Sequence, residues 1–182
     1  MTALDERPRV YRFCVKLWAT TDAIEDVAAV PVFHDWIREK RFGFVYVDVA
    51  DYAHVPDGPG VVLVTHDVSF SLDRSQGRLA LLAQRRRPPE DRAENPLATL
   101  IHLAKTVAAE LQRDSRLVGK LAFDQAAFRV EANDRLHLPN TEAGFQLLRT
   151  ITNAALASSR EAALTRVDAD PRQRLAIDVS DA

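Results

Sequence analysis

Asp48, Asp51, His54, Asp57, His66 and Asp67 crowd into one stretch, "DVADYAHVPDGPGVVLVTHD" (48–67). Carboxylate and imidazole are the donors that zinc, manganese and non-haem iron accept, and a partly open site of that kind activates water. The stretch defines a candidate metal centre with His54, His66 and Asp48 as ligands, and a remaining aspartate would serve a hydrolase as general base. The wider candidate ligand-binding set is Asp48, Asp51, His54, Asp57, His66 and Arg86. Against this, the chain has no H-x-x-x-H or C-x-x-C spacing. Asp51, Asp57 and the adjacent Gly and Pro residues are also ordinary turn formers.

Other chemistries leave weaker traces. "PDGPG" (56–60) invites a phosphate-loop reading but lacks the Lys and Ser/Thr, and it opens a strand instead of a helix. "RRR" (85–87), with Arg92, is a basic patch suited to an anion or an acidic partner. No aromatic residue interleaves it for base stacking, and "PPED" follows at once, so nucleic acid is not favoured. Cys14 sits inside an apolar run and reads as a buried structural thiol. No G-x-S-x-G occurs. The sequence names no cofactor.

The elements that must position these residues follow from periodicity. "VYRFCVKLW" (10–18) alternates as a strand with Tyr11, Phe13, Val15 and Leu17 toward the core. Asp22 reads as an N-cap, with a short turn up to Ala29. A helix then runs from Pro31 to about Lys40, with Phe33, Trp36 and Ile37 inward. "FVYVDVA" (44–50) is almost continuously apolar and reads as a central strand covered on both sides. Residues 61–73 alternate throughout, with Val62, Val64, His66, Val68, Phe70 and Leu72 on the inward face. "RSQG" then turns the chain into a partner strand at 78–86.

Asn95 caps and Pro96 opens the clearest helix, with Leu97, Leu100, Ile101, Ala104, Val107, Ala108 and Leu111 as its apolar stripe. Residues 128–132 and 135–138 read as a hairpin around "ND". A third helix follows, capped by Asn140 or Thr141, and two short strands end the chain. The order is β-α-β-β-β-α-β-β-α-β-β: an α+β fold with a mostly antiparallel sheet and about three helices.

The bulk numbers set the outer limits. The chain has 182 residues, 47 % hydrophobic and 27 % charged, which suits one domain over 9–182 after a disordered segment at 1–8. A net charge of −2 supplies no global field for nucleic acid. One cysteine forms no disulfide framework and fits a reducing compartment. No apolar run approaches a membrane span, and the amino-terminal residues do not resemble a secretory signal. The leading expectation is a non-catalytic cytoplasmic protein that binds a protein partner or small ligand and self-associates, with 174–179 as an edge strand open to a second copy. The alternative is a metal-dependent hydrolase built on the 48–67 cluster.

Overall fold

β1 (Phe13–Asp22) sends Phe13, Val15 and Leu17 to one face, where all three are fully buried. Cys14 and Lys16 alternate to the other face. A computed structural model of the chain describes residues 10–55, 58–156 and 162–181, and places β1 inside an eight-stranded sheet. The other strands are β2 (Tyr46–Tyr52), β3 (Gly60–Thr65), β4 (Val68–Asp73), β5 (Ala80–Arg85), β6 (Leu121–Ala132), β7 (Ala162–Arg166) and β8 (Ala176–Asp181). The helices are α1 (Val30–Arg38), α2 (Pro96–Arg113) and α3 (Glu142–Leu156).

The sheet order is β2-β3-β4-β5-β1-β6-β8-β7, and every neighbouring pair is antiparallel. The fold is α+β with an antiparallel sheet and, among the described residues, three α-helices, as the interleaving of strands and helices implies. Among the described residues, no helix is long and apolar enough to cross a membrane. The expected disordered segment at 1–8 and the candidate ligand Asp57 lie outside the described residues.

The helices cover one face of the sheet. α2 packs on β1, β5 and β6, and α3 on β7 and β8. Asn95 starts α2 as its sequence implies: its Oδ1 accepts from the backbone N–H groups of Leu97 and Ala98, each at 3.1 Å. Pro96 takes the first turn, where a missing N–H leaves nothing unpaired. The whole expected stripe from Leu97 to Leu111 is buried. A short 3-10 turn at Asp26–Ala29 leads into α1. A chain of rings ties α1 to the sheet: Phe33–Trp36 at 5.4 Å, Trp36–Phe42 at 5.1 Å, Phe42–Phe44 at 5.4 Å and Phe44–Phe70 at 5.6 Å.

Several local expectations are corrected. The run 61–73 is not one strand but the hairpin β3–β4, closed by the two-residue turn His66–Asp67. Such a turn resets the alternation. Val61 and Leu63 therefore join Val68, Phe70 and Leu72 in the core, while Val62 and Val64 face outward. Residues 135–138 form a turn, not a strand. β2 is an edge strand, not a central one, and its Val47 is 63 % exposed. β8, which holds most of 174–179, lies between β6 and β7, so the free edges are β2 and β7. Asp22 caps nothing; its carboxylate accepts from the guanidinium of Arg74.

Candidate functional site

The structure separates the residues of the 48–67 cluster. Tyr52 pairs with Gly60 at one end of β3, and Tyr46 pairs with Thr65 at the other. His54 follows Tyr52 and His66 follows Thr65, so roughly 17 Å of strand separates the ends they occupy. Ligands of one zinc ion each lie about 2.0–2.1 Å from it. His66 is not inward: its side chain is 43 % exposed, and its Nδ1 is 2.8 Å from Asp67 Oδ1. Asp48 and Asp51 are exposed, and each accepts a nearby backbone N–H, Asp48 from Val49 and Asp51 from Ala53. Arg86 donates to the carbonyl of Thr65 at 3.0 Å and braces the end of the β3–β4 hairpin. Among the described residues, no group of three or more His, Cys, Asp or Glu side chains could hold a metal ion.

Polar chemistry gathers elsewhere, on the sheet face that the helices leave open. The strand registers line up Ser71, Leu82, Lys16, Arg129, Asp178 and Thr165 in one row. The next row holds Ser69, Gln84, Cys14, Glu131 and Ala176. Paired residues on antiparallel strands point to the same side, so both rows share the open face. A cavity of about 360 Å³ opens over them.

At its floor Lys16 reaches across β5 to Asp73, with Nζ 2.6 Å from Oδ2 and side chains only 4 % and 5 % exposed. Ser75 adds an O–H at 3.0 Å and a backbone N–H at 3.1 Å to the same carboxylate. Burial pushes the Asp73 carboxyl up, but the hydrogen bonds from Lys16 and Ser75 outweigh it and hold it below the usual carboxylate range.

Neighbouring charges are also paired. Arg129 grips Asp178 through Nε at 2.7 Å and Nη2 at 3.0 Å. Arg174 stands 3.9 Å from Glu131. Trp18 lies beside the floor, with Lys16 Nζ 5.3 Å, Arg129 Cζ 5.4 Å and Arg78 Cζ 5.0 Å from its ring centre. The negative ring face attracts these cations and helps orient them.

One wall is the β7–β8 connection, which contributes Asp168, Gln173 and Arg174. Asn140 anchors it: buried to 3 % exposure, its amide donates to the carbonyls of Asp168 at 3.1 Å and Asp170 at 2.9 Å. The Asn140 Oδ1 accepts from Arg166 at 2.8 Å. The hydroxyl of Thr141 accepts from Gly144 N–H at the start of α3. Asn140 thus holds the cavity wall instead of capping the helix.

Cys14 is fully buried, and burial, reinforced by the charge of Glu131, pushes its thiol up to about 12. It is a packing residue at neutral pH, as its apolar setting implies.

Sequence reading passed over Lys16, Asp73, Arg129 and Glu131. The available signal was their phase: each falls at the polar step of an otherwise apolar strand. The chain matches no protein-family model, no curated protein and no solved structure.

Proposed function

We propose that this protein is a non-catalytic binding protein that holds a small polar ligand in the cavity above Lys16 and Asp73. One observation carries the reading: an almost fully buried ion pair forms the cavity floor. Two well-packed apolar residues would fill such positions at equal or lower free energy, so a buried pair is weak support for stability. Its use is better sought in the fixed donor and acceptor groups it presents. The lining balances Lys16, Arg129 and Arg174 against Asp73, Glu131 and Asp168. Ser75, Gln76 and Gln173 add neutral donors and acceptors. A ligand of low net charge with several hydrogen-bonding groups, such as a polyol, a sugar or a zwitterion, satisfies such a surface. The raised Cys14 thiol is no nucleophile for a reaction there.

The test is a thermal-melt screen of polyols, monosaccharides and zwitterionic amino acids against wild type and Lys16→Met/Asp73→Leu. A ligand present at a hundred times its Kd adds about 2.7 kcal/mol to stability, a shift of several degrees. The double variant keeps the fold and loses the shift. A hit that stabilises both proteins equally would remove the cavity from consideration.

A further inference from the structure

A second cavity, of about 410 Å³, lies at the other side of the sheet, where the start of α2 meets the loop after β5. Arg85 lines it and is buried, with its side chain 5 % exposed. Its Nη2 donates to Glu94 at 2.8 Å. Its Nε is buried with no hydrogen-bond partner among the described residues. A buried guanidinium N–H without an acceptor is costly, and here it belongs to a side chain that faces a cavity. The neighbouring Arg86 takes the opposite phase of the strand end and is spent on the Thr65 carbonyl.

The surroundings define what would complete it. Asp67, Glu90, Asp91 and Glu94 line the cavity, four acidic residues beside one arginine. Glu94, already on Arg85, repels a second carboxylate, so the acceptor that Nε lacks is better supplied by a neutral group. A neutral acceptor for Nε, accompanied by a cation for the carboxylates, satisfies both demands. The carboxylates accept hydrogen bonds, which a primary ammonium supplies three at a time and a quaternary one cannot. Phe44, Val68, Leu103, Pro88 and Pro89 give the cavity apolar walls, and the two prolines restrict the loop before any ligand arrives.

We infer that this second cavity binds a primary ammonium adjacent to a carbonyl and an apolar side chain. That is the chemistry of an amino-acid amide or of a peptide's amino end. As the ligand enters, the guanidinium turns its covered Nε toward the carbonyl and donates to it; the ammonium lies among the carboxylates, and the side chain enters between Phe44 and Leu103. This inference is independent of the ligand proposed for the open face.

Titration of the purified chain with leucinamide, followed by calorimetry and amide NMR shifts, tests it. Saturable binding is expected, with shifts at Arg85, Glu94 and Leu103. N-acetyl-leucinamide, isopentylamine and leucine lack, in turn, the charge, the carbonyl and a neutral acceptor, and each should bind at least tenfold more weakly. Arg85→Met removes the buried partner of Glu94 and disturbs the fold as well as the site, so the deciding variant is Glu90→Gln/Asp91→Asn on the exposed rim. It should melt at the wild-type temperature and bind leucinamide at least tenfold more weakly. Leu-Gly-Gly amide binding more tightly than leucinamide assigns the site to peptide amino ends; the reverse assigns it to the small molecule. No saturable leucinamide binding, equal binding of the acetylated form, or an unchanged affinity in the rim variant overturns the inference.

Discussion

The Lys16 ammonium lies 2.6 Å from the Asp73 carboxylate, and each side chain is at least nine-tenths buried. The residues sit on β1 and β4, with β5 between them. Removing one partner leaves the other charge in a poorly solvated site, whereas removing both does not. Lys16→Ala should therefore cost about 3–5 kcal/mol in urea unfolding, and Lys16→Met/Asp73→Leu should be neutral or stabilising by about 1–4 kcal/mol. A double variant as unstable as the single one would mean that the pair holds the sheet together.

Acid should expose the same pair. The folded-state carboxyl of Asp73 titrates below its ordinary range, so the unfolded chain binds its proton first as pH falls. The stability that Asp73 contributes is full above the unfolded value of about 3.9 and disappears as pH falls through the lower folded value. Wild type minus Asp73→Asn should give a constant stability difference from pH 7 to about pH 5, closing below that. A difference that stays flat to pH 3 would show that the carboxylate is not held in this way.

Two glycines with similar backbones should respond differently to alanine. Gly60 has φ +64, and a Cβ there would stand 2.1 Å from the carbonyl oxygen of Leu72. Gly77 has φ +70 and nothing within 4 Å of the same position. Left-handed backbone alone costs alanine roughly 1–2 kcal/mol. Gly77→Ala should lose about that much, and Gly60→Ala measurably more, since β3 must shift away from β4. Chemical denaturation of both variants makes the comparison; equal losses would contradict the close approach.

Cys14 should resist alkylation. Its thiol is fully buried and raised to about 12, and only the thiolate reacts quickly. Iodoacetamide at pH 8 should modify the folded chain at least a hundredfold more slowly than the chain in guanidinium, read by intact-mass spectrometry. Rapid labelling of folded protein would place Cys14 at an accessible position.

The sequence was most legible where one local rule sufficed. α2 combined a side-chain cap, a first-turn proline and an unbroken apolar stripe, and its position and buried face follow from those alone. β1 announced Phe13, Val15 and Leu17 as inward by a partial alternation, whereas Tyr11, expected beside them, precedes the strand and is half-buried. Legibility failed where two structures share one pattern. His66 and Asp67 continue the apolar–polar rhythm of 61–73 while reversing the chain, so the printed alternation hides a change of face. Lys16, Asp73, Arg129 and Glu131 are unremarkable polar steps in strands far apart in sequence. Only the strand order, with β1 between β5 and β6, makes them neighbours. Arg85 and Arg86 show the same limit at single-residue scale: one basic run, two opposite phases, and the inward arginine was not the one the sequence singled out.

That strand order also carries a consequence for how the chain is made. β1 precedes both of its partners, which end at Arg85 and Ala132. Phe13, Val15 and Leu17 must stay unpaired while the β2–β5 meander, whose turns are local, closes first. Both ladders of β1 span long stretches of chain, the kind of contact that slows folding. A segment bearing large apolar side chains and two open hydrogen-bonding edges therefore waits for shelter until β6 has been made, and the newly made chain is most vulnerable to wrong association at β1.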